Sequence, residues 1–221
     1  SGTNNASLGF SSLLSNTTGS NNTALGAYAL DANTTGTSNI AIGTAALGAS
    51  TTSAYNVGIG DSALINQTTG DRNTSIGTFS MATNVTGSYN TALGYATLNL
   101  ATGDSNTAIG YETMLDNTSG HSNSGVGYRA LSNNTTGINN TAVGFSAGQA
   151  VTTAGEATLI GRHAGLSLTT GSSNTFIGGR AGAATTTAIE NTAVGQAALL
   201  TNSTGANITA IGRGALLSST T

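Results

Sequence analysis

The sequence predicts an all-β fold, a parallel β-solenoid (β-roll) of thirteen coils of about 17 residues each. Three observations carry this: a glycine-anchored motif that repeats along the whole chain, two turn signals per repeat, and a composition that starves helices. Repeats dominate any other signal because missing them miscalls the whole architecture.

The repeat is Asn-Thr-Ala-(Leu/Ile/Val)-Gly. Its glycines are Gly9, Gly26, Gly43, Gly60, Gly77, Gly94, Gly110, Gly127, Gly144, Gly161, Gly178, Gly195 and Gly212, spaced by 17 residues except for 16 between Gly94 and Gly110. Counting from that glycine, position −4 is Asn in eleven of thirteen copies, with Ala157 and Ile208 as the exceptions. Position +3 is always Ala, Ser or Thr, and position +4 is Leu or Met in ten copies. A second turn signal, Thr-Thr-Gly or a relative, closes most copies, as at Gly19, Gly36, Gly70, Gly87, Gly137 and Gly171.

Seventeen residues with two turns leave room for two strands of about five residues each. Helical repeats of the tetratricopeptide or ankyrin kind need about 33 residues, leucine-rich repeats at least about 20. Gly and Asn at this density also disfavour helix. Equivalent residues then stack in ladders about 4.8 Å apart, and thirteen coils predict a rod on the order of 60 Å. Stacked Asn amides hydrogen-bond from coil to coil, so Asn22, Asn39, Asn56, Asn73, Asn90, Asn106, Asn123, Asn140, Asn174 and Asn191 are expected to form a structural ladder. The aliphatic residue before each glycine is expected to form the core ladder: Leu25, Ile42, Ile59, Ile76, Leu93, Ile109, Val126, Val143, Ile160, Ile177, Val194 and Ile211.

Its neighbour at position −2 is also small and uncharged, for instance Ala24, Ala41, Gly58 and Ala92. Alternate side chains of a strand face opposite ways, so this strand is uncharged on both faces, as a strand covered on both sides would be. A coil this thin covers only one. The second face is expected to pack on another copy, and a parallel homotrimer is the simplest closed arrangement. Position +4 loses its Leu at Gly148, Gly165 and Gly182, while position −2 grows to Leu159 and Phe176. Large and small exchange, as close packing demands.

Composition narrows the function. Charged residues are 6%, the net charge is −3, and the five basic residues are all Arg and scattered. Nothing here would neutralise a run of phosphates, so nucleic acid is not expected as a partner. No apolar run spans a membrane. The chain has no Cys, which removes disulfides and thiolate metal sites. Ser1 to Asn5 is not a signal peptide. The expectations are no catalytic residues, no metal and no cofactor.

The strings Asn39-Ile40-Ala41-Ile42-Gly43-Thr44-Ala45-Ala46-Leu47 and Asn106-Thr107-Ala108-Ile109-Gly110-Tyr111-Glu112-Thr113-Met114 resemble the head repeat of YadA-type trimeric autotransporter adhesins. Similar repeats occur in phage tail-fibre proteins. The resemblance covers all thirteen copies and implies a left-handed parallel β-roll, a trimer, and attachment to host surfaces. The coil here is longer than the family's, an extra loop that fits the Asn-Thr-Thr-Gly segment. The resulting expectation is a single repeat domain over 1–221, a segment of a longer fibre, acting as a structural, non-catalytic part of an extracellular adhesin at a cell surface or virion tail. A tail-fibre shaft or receptor-binding segment is the alternative, and an ice-binding protein a further one.

Four side-chain groups invite chemistry. Tyr95, Tyr111, Tyr128 and Phe145 share position +1 in successive copies and offer a glycan-binding stripe, though stacking between coils is the simpler reading. His163 and Arg180 share position +2, with Arg162 adjacent; a small anion or sialylated glycan is one reading, a solvated basic strip the simpler one. His121 lies at a turn and reads as solvated. Glu112 and Arg129 share the same column and predict an exposed ion pair. Thr at position −3 in nine copies suits β propensity and, on a flat face, ordered water. Sequons such as Asn16-Thr17-Thr18 and Asn134-Thr135-Thr136 arise from the repeat itself.

Overall fold

The computed structural model describes residues 2–218. The chain is an all-β parallel β-solenoid with one strand per repeat, and the described residues contain no helix. It divides into two compact units, one up to Asn106 and the other from Thr107 on.

In the first unit, β1 (Ala6–Leu8), β2 (Thr23–Leu25), β3 (Ile40–Ile42), β4 (Val57–Ile59), β5 (Thr74–Ile76) and β6 (Thr91–Leu93) pair in parallel in chain order. In the second, β7 (Thr107–Ile109), β8 (Ser124–Val126), β9 (Thr141–Val143), β10 (Thr158–Ile160), β11 (Thr175–Ile177), β12 (Thr192–Val194) and β13 (Thr209–Ile211) do the same. The register is one repeat per step, so that Ala24 faces Ala41 and Leu25 faces Ile42. Like sits on like.

Each coil holds one strand of 3 residues, not the expected pair of five-residue strands. The cause lies in the backbone after the glycine. Positions +2 and +4 are left-handed in coil after coil, as at Ala45 (φ 54°) and Leu47 (φ 53°), which breaks the extended conformation on the second side. Hydrogen bonding between coils persists there: Ala45 donates its N–H to Ala27 O (2.9 Å) and Leu47 to Ala63 O (2.9 Å). Left-handed residues other than Gly are costly, so the stacked bonds must hold them in place.

The repeat glycine answers two demands. Gly60 has φ +133°, and a Cβ there would lie 2.7 Å from Gly77 O. Gly127 in the second unit is the same, with φ +134° and 2.5 Å to Gly144 O. Neither the dihedral nor the gap admits a side chain.

The core is the main correction to the sequence reading. Position −2 of the strand points inward, and Ala41, Ala92, Ala108, Ala142 and Ala193 are fully buried. Leu30, Leu47, Leu64, Met81 and Leu98 in the first unit, and Met114, Leu131 and Leu199 in the second, meet them from position +4, each with no exposed surface. The expected core ladder points the other way. Leu25 and Leu93 are 44% exposed, Val126, Val143 and Ile160 are 37 to 38%, and Ile211 is 70%; Ile42, Ile59, Ile76, Ile109, Ile177 and Val194 are half-buried. A thin coil has room for only one large side chain between the strand and position +4. That place goes to position +4, with Ala opposite.

Where position +4 is Gly, the strand supplies the bulk. A Cβ at Gly148 would lie 2.5 Å from Leu159 Cδ1, one at Gly165 2.7 Å from Leu159 Cδ2, and one at Gly182 2.5 Å from two carbons of the Phe176 ring. Two large residues thus fill the space of three missing leucines, one layer offset.

Candidate functional site

Ten of the eleven asparagines at position −4, all but the half-buried Asn5, are buried in the two units. In the first, Asn22 Oδ1 accepts the backbone N–H of Asn39 (3.0 Å), Asn39 that of Asn56 (3.0 Å), and the chain of bonds continues through Asn73 and Asn90 to Asn106. In the second, Asn123 serves Asn140 (3.0 Å) and Asn174 serves Asn191 (3.1 Å). Each side-chain amide also braces its own coil, as Asn22 Nδ2 does by donating to Gly36 O (2.8 Å) and Asn123 Nδ2 to Gly137 O (2.8 Å). These residues are structural mortar. Every polar atom has work inside the wall, and none is offered to a ligand.

A second buried column, at position +7, escaped the sequence reading. Asn33, Asn84, Asn117, Asn134 and Asn202 donate from Nδ2 to the turn glycine three residues on, at 2.8 to 3.2 Å. The pairing of Asn with Gly three residues later was the available signal. It also disposes of the Asn134 sequon, whose amide is buried and donates to Asn117 Oδ1 at 2.7 Å. Asn16, half-buried, donates to Gly19 O (3.0 Å) in the same way.

The outward face of each strand carries positions −3 and −1. Thr or another β-branched residue stands beside an aliphatic one in every coil but those of Ala6 and Ser124, and neither column holds a charged residue. Packing within the chain does not account for this half-exposed apolar face.

The aromatic column behaves as a stack. In the second unit Tyr111 and Tyr128 lie parallel (centroids 5.4 Å, 5°), Tyr128 and Phe145 likewise (5.0 Å, 8°), and His163 meets Phe145 edge-on (5.4 Å, 63°). Tyr128 therefore has both ring faces covered. A pyranose stacks on a free ring face, and the stacking leaves Tyr128 none. In the first unit Tyr95 meets Phe79 edge-on (6.2 Å, 84°).

Glu112 and Arg129 form the expected ion pair (Nη2 to Oε2 2.6 Å, with Nε donating at 2.7 Å). The hydrogen bond and charge of Glu112 raise the Arg129 pKa further above its ordinary value, and the guanidinium lies 5.5 Å over the Tyr128 ring. In the first unit Arg72 sits between Tyr55 (5.4 Å) and Tyr89 (5.5 Å), a sandwich that the sequence reading missed. All three share position −5 in successive repeats, which was the signal. Arg162, His163 and Arg180 gather at one cleft of the second unit. Burial lowers the His163 pKa, and the two arginines lower it further. His121 Nδ1 lies 3.3 Å from Ser122 Oγ at the surface.

Among the described residues no three of His, Cys, Asp or Glu come together as a metal site would require, and no helix is long and apolar enough to cross a membrane. Compared with family models, curated proteins and solved structures, the chain matches none of them, and its fold is the property that its own geometry establishes.

Proposed function

We propose that the chain is a structural, non-catalytic segment of an extracellular fibre or adhesin, built to pack against identical copies as a parallel homotrimer and to carry surface attachment at a cell surface or virion tail. The observation that carries this reading is the aliphatic column at position −1. Burying a Leu, Ile or Val side chain fully is worth roughly 1.5–3 kcal/mol, and the column repeats once per coil over the described chain with no charge to oppose association. Because the columns are in register with themselves, a copy related by a rotation axis presents the same columns in return. The resemblance to the adhesin head repeat points the same way. A phage tail-fibre shaft or receptor-binding segment uses the same physics and remains its closest alternative.

Sedimentation equilibrium tests the reading. The expected mass is three times the 21.5 kDa of one chain. A chain that stays monomeric at concentrations of about 100 μM, where even a weak association of about 5–6 kcal/mol would register, sinks it.

One observation favours a second reading. The Thr column at position −3 shares the outward strand face with the aliphatic column, as at Thr158, Thr175 and Thr192 beside Ile160, Ile177 and Val194. A regular Thr and methyl surface orders water, so a monomer that leaves this face open is an ice-binding protein. Copies packed on that face exclude ice. Thermal hysteresis in a monomeric sample selects the second reading, and its absence in a trimer the first.

A further inference from the structure

The coil that begins at Gly178 is notched. Position +1, filled by Tyr128, Phe145 and Arg162 in the coils before it, is Gly179, and a Cβ there would meet nothing within 4 Å. Position +5 runs Leu166, Ala183, Leu200 in successive coils, large, small and large again. Around the buried Ala183 lies a cleft of 530 Å³ lined by Leu166 and Leu200 of the neighbouring coils and by Arg162, His163 and Arg180. Ligand sites of small molecules span about 300–1,000 Å³. Its walls stand two coils apart, about 9–10 Å, the width of one sugar ring and its substituents.

The charge is as uneven as the shape. The ion pair between Arg129 and Glu112 lies elsewhere, and no carboxylate lines the cleft. Glu156 and Glu190, the nearest acids in sequence, stand at position −5; Glu156 accepts a hydrogen bond from Ser173 Oγ (3.2 Å). Arg162 and Arg180 are held one coil apart by the backbone, since Arg180 N donates to Arg162 O (2.9 Å). His163 is fixed by its own N–H to Phe145 O (2.9 Å) and by the edge of the Phe145 ring. Burial first, and then the charges of Arg162 and Arg180, lower the His163 pKa.

We propose that this cleft binds a pyranose bearing an anionic group, a carboxylate or a sulfate. Two guanidinium forks one coil apart suit a planar or tetrahedral oxyanion. The Leu166 and Leu200 walls take the apolar edges of the ring, and Ser167 and neutral His163 take hydroxyls. The site lies within single-chain coils, and it deepens the attachment reading by naming a ligand class; it rests on that reading only for its biological setting.

The test is titration of the full chain, by calorimetry or by NMR of the His163 ring, with four probes. These are the methyl glycoside of N-acetylneuraminic acid, N-acetylglucosamine 6-sulfate, neutral methyl N-acetylglucosaminide, and sodium sulfate. One or both acidic sugars are expected to bind, with the neutral sugar at least about tenfold weaker, and the stronger of the two identifies the anion. Arg162→Gln and Arg180→Gln are each expected to weaken binding about tenfold or more, the usual consequence of losing a charged hydrogen bond, with Arg72→Gln unchanged as the control. Ala183→Leu restores the Leu of the coils on either side, fills the notch without touching charge, and is expected to abolish sugar binding while the circular dichroism spectrum is retained. The proposal is overturned if no probe binds, if the neutral sugar binds as well, or if sulfate alone matches the sulfated sugar and Ala183→Leu changes nothing. A trimer that binds no sugar removes the cleft and leaves the fibre standing; a monomer that binds acidic sugar does the reverse.

Discussion

Residues in this chain are chosen by where they stand in a column, and the columns differ in how much freedom they leave. At Gly60 the backbone is in a region that only Gly occupies at ease, and Gly77 of the next coil closes the space above it. Gly60→Ala is expected to cost about 3 kcal/mol, strain and overpacking together, whereas Gly179→Ala, which meets nothing within 4 Å, is expected to stay within about 0.5 kcal/mol. Urea midpoints compare the two directly, and equal effects would remove the column argument. Asn56 is equally constrained: its Oδ1 accepts from Asn73 N (2.8 Å) and its Nδ2 donates to Gly70 O (3.0 Å). Asn56→Ala orphans the buried N–H of Asn73, while Gly70 O keeps the bond from Gln67 Nε2, and is expected to cost about 1–3 kcal/mol. His163 links residue to pH. Its pKa is lowered in the folded chain by burial and by Arg162 and Arg180, so below pH 6.5 the unfolded chain binds the proton more readily. Its contribution to stability is full above about pH 6.5 and is lost as pH falls through the folded pKa. Between pH 7.5 and 5 the melting temperature of the native chain should therefore fall more than that of His163→Gln, and parallel curves would contradict the shift.

At the scale of the element, period and direction were readable from the sequence, and the inward face was not. Glycines 17 residues apart, with one interval of 16, leave little choice but parallel coils in register, and the strands of each unit follow them. The strands came out shorter than expected because left-handed residues such as Tyr28, Leu30, Arg129 and Leu131 carry no mark in residue type; the stack imposes them. The core was misassigned because hydrophobicity favours Ile and Val over Ala, while the thin coil favours the side chain that leaves room opposite. The correcting signal was present in the sequence: Leu159 and Phe176 appear at position −2 where Gly replaces Leu at position +4, and residues that exchange bulk share a space. The geometry turns this into a cycle. Phe176→Ala alone opens a void beside Gly165 and Gly182 and is expected to cost about 3–5 kcal/mol. Gly182→Leu alone collides with the Phe176 ring, 2.5 Å from the added Cβ. Together they recreate the Ala and Leu pair of other coils, at a φ of +57° close to the 49–54° that Leu and Met adopt in this column. The double variant is expected to recover at least about 2 kcal/mol relative to the sum of the singles. Simple additivity in denaturant unfolding would mean that the two positions do not share the layer.

For the whole molecule, the inward assignment of Ala and Leu has a consequence for association. A side chain in the core contributes to each chain by itself, but one in the position −1 column is left half exposed until something covers it. Mutations in the two columns should therefore separate. Leu131→Ala removes a fully buried side chain and is expected to lower the stability of the chain at every concentration, by about 2–5 kcal/mol. Val126→Lys and Val143→Lys, at side chains 37% and 38% exposed, are expected to leave the β circular dichroism spectrum intact and to reduce the sedimenting mass to that of one chain. The same pair should abolish the dependence of melting temperature on protein concentration that an associating chain must show. Like charges stacked along such a column repel with every added copy, so the effect on assembly exceeds the loss of methyl contact alone. If the lysine variant keeps the native mass, copies do not meet on this face, and the aliphatic column needs another partner, with the ordered water of the ice-binding reading next in line.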